Sequence, residues 1–175
     1  IYSGITCDIN DETKITYGGG VFKSGSKGDS YSATPSNSPQ KIDLTNANIL
    51  LIPKEVVEKI GIFHEGYIHG SADYDYSMTA QRYNIPTFTT SHVCGKCEFD
   101  HINGKAEIDK LISMSFKERK KYIMYPTHSD KDYLLFIKRN LPHRYVFCWI
   151  LRKIRLYLPY LYKQICIMRK LENYK

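Results

Sequence analysis

Hydrophobic and polar positions change rhythm twice along the chain. Ile1-Tyr2-Ser3-Gly4-Ile5-Thr6-Cys7 alternates and then meets the polar run Asp8–Glu12, which predicts a strand closed by a turn. Ser24 to Gln40, with Ser24-Gly25-Ser26-Lys27-Gly28-Asp29-Ser30 and Pro35-Ser36-Asn37-Ser38-Pro39, carries too little apolar surface to order itself and reads as a long flexible loop. Asn48–Ile52 is a short apolar run expected to be a buried strand. Pro53 suits a first helical position and Gly61 the residue past the end, so Lys54–Ile60 is a helix with Val56, Val57 and Ile60 on one face. A second helix is expected over Tyr74–Tyr83, stopping at Asn84 before Pro86, and Thr87-Phe88-Thr89-Thr90 alternates as a half-buried strand. Beyond Asp100 the pattern turns helical: Ala106–Tyr122 is amphipathic, Asp130–Asn140 is a helix ending before Pro142, and Tyr145–Lys170 is an aromatic, basic helical segment. The expectation is an α/β portion over residues 1–105 and a helical, basic tail over 106–175.

Charge sharpens that division. The net +7 is made of −3 over residues 1–105 and +10 over residues 106–175, so the tail asks for a localised anionic partner. No stretch of it reaches the ~20 uninterrupted apolar residues of a spanning helix. Trp149, Tyr157, Tyr160 and Tyr162, interleaved with Arg152, Lys153, Arg155, Lys163, Arg169 and Lys170, fit a helix lying on an anionic membrane face. They fit equally a helix packed on the rest of the chain with a basic solvent face. No recognition module accompanies the charge, which argues against nucleic acid. Cys7, Cys94, Cys97, Cys148 and Cys166 are odd in number and lack framework spacing, which favours a reducing, cytoplasmic setting, with peripheral attachment to the inner membrane face as an option.

Three clusters carry candidate chemistry. Asp73 and Asp75 open the second predicted helix, where unpaired N–H groups and the positive end of the dipole favour an anion. An ionised Asp beside a cleft is what a general base requires, although two helix-capping acids would look the same. His92-Val93-Cys94-Gly95-Lys96-Cys97-Glu98-Phe99-Asp100-His101 offers a Cys-x-x-Cys between two His, four ligands of the types suited to zinc but crowded into ten residues. Gly18-Gly19-Gly20 lacks the Lys-Ser/Thr of a phosphate loop and reads as a turn. Asp130-Lys131-Asp132 reads as a helix opening rather than a metal site.

The run Asn46-Ala47-Asn48-Ile49-Leu50-Leu51-Ile52-Pro53-Lys54-Glu55-Val56, continued by Val57-Glu58-Lys59-Ile60-Gly61-Ile62-Phe63, resembles the acceptor-side half of a family 2 glycosyltransferase of GT-A fold. Ile15-Thr16-Tyr17-Gly18-Gly19-Gly20 before it and Asp73-Tyr74-Asp75-Tyr76 after it extend the resemblance from about Tyr2 to Asp100. The resemblance implies a partial GT-A, Rossmann-like mixed sheet with flanking helices. It implies an inverting transfer from a nucleotide-sugar to a lipid-linked or polysaccharide acceptor in cell-surface glycan synthesis. Asp73 falls at the catalytic base, and Asp75 at the second acid, bracing helix start and loop. Asn46 and Asn48 fall at the strand end lining the cleft, and His69 at a possible acceptor contact. A divalent cation, Mg or Mn, is implied, with its main ligands on a nucleotide-binding half expected before Ile1, and His92 or His101 as an additional ligand. Two other readings stay open: a non-catalytic, membrane-associated interaction module derived from a truncated transferase, and a small zinc-binding module around Cys94 and Cys97.

Overall fold

The computed structural model describes residues 1–23, 30–99, 104–126 and 129–168. The chain divides into two compact units, one of Ile1–Glu65 with Ser71–Phe99, the other of Gly66–Gly70 with Asp100–Lys175. The class is α/β with a mixed sheet.

The first unit is organised around β1 (Tyr2–Cys7). On one edge β1 pairs antiparallel with β2 (Ile15–Tyr17) towards its C-terminal end and with β6 (Leu50–Leu51) towards its N-terminal end. On the other edge it runs parallel to β7 (Phe88–Lys96), which pairs antiparallel with β5 (Gln40–Lys41). A separate hairpin joins β3 (Gly20–Phe22) to β4 (Ser30–Ser32). The predicted loop over Ser24–Gln40 therefore contains two strand segments: backbone pairing of Ser30–Ser32 with Gly20–Phe22 orders a segment with no apolar pattern. Residues 24–29 of that loop lie outside the described residues.

Two further strand expectations change. Asn48–Ile52 forms only the two-residue β6, in register with Tyr2 and Ser3, with one further bond from the Gly4 N–H to the Ile49 carbonyl at 2.8 Å; it lies at the surface rather than buried, with Ile49 and Leu51 exposed. Thr87–Thr90 is the start of a nine-residue strand, carried on to Lys96 by its partner β1, with register shifts that the alternation of residues does not announce.

Helix α1 (Lys54–Ile60) has the predicted bounds, with extended Pro53 before it and Gly61 at φ 80° after it. Helix α2 (Ala72–Arg82) starts two residues earlier than expected, after Ser71 in the left-handed region. Tyr76 and Ala80 of α2 are buried with Ile1, and Val56, Ile60 and Phe63 pack against them. The Phe63 and Tyr76 rings lie 4.8 Å apart, and the Tyr76 hydroxyl donates to the Gly61 carbonyl at 2.9 Å.

The second unit is helical: α3 (Gly104–Ser113), α4 (Phe116–Met124), α5 (Asp130–Asn140), a 3-10 turn (Pro142–Arg144), α6 (Tyr145–Tyr157) and α7 (Pro159–Met168). The single helix expected over Ala106–Tyr122 is thus two. Ser115 breaks it with a capping box: its side chain accepts from the Glu118 N–H, and the Glu118 carboxylate accepts from the Ser115 N–H. The segment Tyr145–Lys170 is also two helices. Leu158 precedes Pro159, whose ring disfavours helical backbone at the residue before it, and Leu158 sits at φ −131°, ψ 62°, outside the helical region. Arg169 and Lys170 lie outside the described residues.

The interior of this unit combines apolar side chains such as Ile108, Leu111, Ile137 and Leu141 with charged ones. Arg119 donates at 2.8 Å to the carbonyls of Leu111, Met114 and Leu156, satisfying helix C-terminal acceptors. Arg155 bridges Asp130 at 2.9 Å and Glu107 at 2.6 Å.

Candidate functional site

The acidic opening of α2 meets two segments distant in sequence. Asp73 is half-buried. Its Oδ1 accepts from the Tyr74 N–H at 2.9 Å and its Oδ2 from the Ala47 N–H at 3.0 Å. Its carbonyl accepts from the Thr45 hydroxyl at 3.0 Å. The carboxylate is therefore held in one orientation at a helix N-terminus, where the dipole favours negative charge.

Beside it, Asn46 joins the glycine run to the helix. Its Oδ1 accepts from the Gly19 N–H at 2.7 Å and from the Gly18 N–H at 3.4 Å. Its side chain also hydrogen-bonds the Tyr74 hydroxyl. Burial, and then the charge of Asp73, push the Tyr74 hydroxyl above its ordinary value, so it remains a neutral phenol. Ser3 clamps the Asn46 backbone: its hydroxyl donates to the Asn46 carbonyl and accepts from the Asn46 N–H, both at 3.0 Å.

Glycine is required at position 19. It sits at φ +93°, and an added Cβ would lie 2.5 Å from Ile42 Cδ1 and 2.6 Å from the Leu44 carbonyl oxygen.

The structure thus gathers Asp73, Asn46, Tyr74 and the Gly18–Gly19 backbone in the first unit. Asn46 works as a brace, its amide oxygen committed to backbone donors, while Asn48 is exposed and donates to Cys97 Sγ at 3.4 Å. Asp75, also carried as a substrate-binding candidate, is 3 % exposed, its side chain within the interior of the first unit. His69 belongs to the second unit, where its N–H donates to the Asp132 carboxylate at 2.8 Å.

Sequence reasoning missed Tyr74, whose aromatic ring between two acids reads as surface, and Asp132. The Asp132 carboxylate is 2 % exposed and accepts from the N–H groups of Ile68, His69 and Gly70.

The metal candidates divide. His92 is exposed on β7, its Nδ1 3.3 Å from Ser91 Oγ. His101 lies outside the described residues. Cys94 Sγ is 3.3 Å from Thr90 Oγ1. Among the described residues, no group of three or more His, Cys, Asp or Glu is arranged to hold a metal ion.

No protein-family model, curated protein or solved structure matches the chain.

Proposed function

We propose that this chain is the acceptor-side portion of an inverting glycosyltransferase of GT-A type, with Asp73 as its general base. The observation that carries the reading is the fixed Asp73 carboxylate at the start of α2, bonded to the N–H groups of Ala47 and Tyr74. In this mechanism Asp73 takes the proton of an acceptor sugar hydroxyl as that oxygen attacks the anomeric carbon of a nucleotide-sugar. The bond from that carbon to the diphosphate breaks, and the diphosphate leaves with its electron pair. One displacement inverts the centre without a covalent intermediate, so a single carboxylate suffices. Asn46 and Tyr74 hold the base and the glycine run in register, and exposed Asn48 is available to the acceptor. The acceptor class remains a lipid-linked glycan or a polysaccharide.

In the protein that carries the nucleotide-binding half, Asp73→Asn is expected to lower kcat about 10²–10⁴-fold, the ordinary contribution of a general base, while donor affinity is unchanged. Turnover at the wild-type rate refutes the assignment.

A further inference from the structure

Helix α6 is built inside out. Val146, Trp149, Ile150, Lys153 and Tyr157 recur at three and four residues and share one face, and all are exposed. The opposite face carries buried Cys148 and Arg155, with Arg155 in its bridge to Asp130 and Glu107. Helix α7 repeats the pattern: Tyr160, Leu161, Ile167 and Met168 are between 43 % and 72 % exposed, whereas Cys166 is buried. Exposed Leu158 carries the apolar surface across the break between the two helices. Contiguous apolar surface of this kind on a charged protein marks an interaction site.

We propose that the outer faces of α6 and α7 dock on an anionic lipid bilayer. Three observations select that occupant. First, Lys153 stands within the apolar face, its Nζ 5.4 Å from the centre of the Trp149 ring. Against a second copy of this chain its charge would be buried without a counter-ion, whereas on a bilayer the ammonium reaches the phosphate layer while the stem stays among the acyl chains. Second, Trp149, Tyr157 and Tyr160 each pair an apolar ring with a polar tip, which suits the headgroup boundary. Third, Phe116 of α4 stacks on Tyr157 with ring centres 5.5 Å apart, so α4 adjoins the face. There Lys117, Lys120 and Lys121, together with Met124, Tyr125 and Pro126, line an open depression of about 450 Å³, its lysines offering cations to lipid phosphates.

The helices lie on such a surface and do not cross it. At 1.5 Å per residue, α6 and α7 span roughly 20 and 15 Å, short of the ~30 Å hydrocarbon core. No helix among the described residues is long and apolar enough to cross a membrane. The proposal is independent of the transferase reading, since none of these residues belongs to the Asp73 site.

Trp149 is the chain's single tryptophan, so its emission reports on this face alone. The test titrates the 175-residue chain with phosphatidylcholine vesicles, with and without phosphatidylglycerol, reading Trp149 emission and cosedimentation. The expected result is a blue shift and sedimentation with the anionic vesicles, weakened by salt, and quenching of Trp149 by bromine-labelled acyl chains. Ile150→Glu and Tyr160→Glu, at exposed positions and checked for folding by circular dichroism, should each lower partitioning about tenfold or more. Unshifted emission with protein left in the supernatant overturns the proposal. So does undiminished binding by both folded variants, which would place the lipid contact elsewhere. Lipid-independent self-association abolished by Ile150→Glu would overturn it in favour of a second copy.

Discussion

Removal of the Asp132 carboxylate should release the loop at residues 66–70. Asp132 lies in the first turn of α5 and is 2 % exposed. Its Oδ2 accepts from the N–H groups of His69 and Gly70, each at 2.8 Å, and both its oxygens lie 3.2 Å from the Ile68 nitrogen. Hydrogen bonds to a charged acceptor contribute about 1.5–3 kcal/mol each. The two short bonds at the lower figure, with little for the longer shared contact, give about 3 kcal/mol. The lower figure applies because Ile68 and His69 are exposed and water can replace part of what is lost. Asp132→Ala should therefore raise the amide exchange of residues 68–70 by about 100-fold, at 1.4 kcal/mol per decade. Asp132→Asn keeps one acceptor oxygen but turns an NH₂ towards a donor, and neutral bonds are roughly half as strong, so about tenfold is expected. Exchange resolved by residue, measured by NMR, separates this local release from general unfolding. Unchanged protection at all three amides in Asp132→Ala would show that the loop is held by something else.

Three further outcomes follow from the geometry. Gly19→Ala should destabilise the first unit by about 3 kcal/mol in urea unfolding, because φ +93° and contacts of 2.5 and 2.6 Å combine backbone strain with overpacking; a loss under 1 kcal/mol would mean that Ile42 yields freely. Ser115→Ala removes the cap that separates α3 from α4 and should cost about 1 kcal/mol, read from thermal unfolding, with no loss if the helices simply fuse. Burial lifts the Asp130 carboxyl above its ordinary value despite Arg152 and Arg155. The stability linked to that raised value is fully present below the unfolded value of about 4 and is lost as pH rises through the folded one, so the stability of wild type relative to Asp130→Asn should shrink as pH rises from acid towards neutral. A difference that grows with pH would show that the arginines outweigh burial.

What could be read from sequence was local. Pro53 and Gly61 bound α1, and Ser129 with Asp130 and Asp132 opens α5, because caps act within a few residues of the groups they satisfy. The capping box at Ser115-Phe116-Lys117-Glu118 is equally local, but it sits within a continuous amphipathic pattern that conceals it. What could not be read was contact between distant segments. The β1 partner β7 lies some eighty residues away, and its length is set by β1, not by its own alternation. The place of Asn46 at a strand end is legible, but not that its amide oxygen accepts from the N–H groups of residues 18 and 19. Asp132 looked like a helix opener and is one, but its carboxylate also gathers a loop more than sixty residues earlier. Asp73 was legible as an acid at a helix start; Ala47 as the donor that orients it was not.

The basic tail shows why charge read along a sequence leaves two options open. A +10 stretch with aromatics suits either a helix lying on lipid or one packed against protein, and the structure separates its cations by residue type into buried and exposed. Arg119 and Arg155 are buried, their planar forks matched to three carbonyls and to two carboxylates. Arg152 lies 4.0 Å over the Tyr133 ring and 3.3 Å from Asp130. Guanidinium suits such sites because it is weakly hydrated and donates in fixed directions. The outward charge comes largely from lysines, among them Lys117, Lys120, Lys121 and Lys153, whose flexible, strongly hydrated ammonium groups suit a fluid anionic surface. The arginines thus hold the helices together from within, which is what allows α6 to turn its apolar side outward. An amphipathic helix whose charged side is buried and satisfied has only its apolar side left to offer a partner.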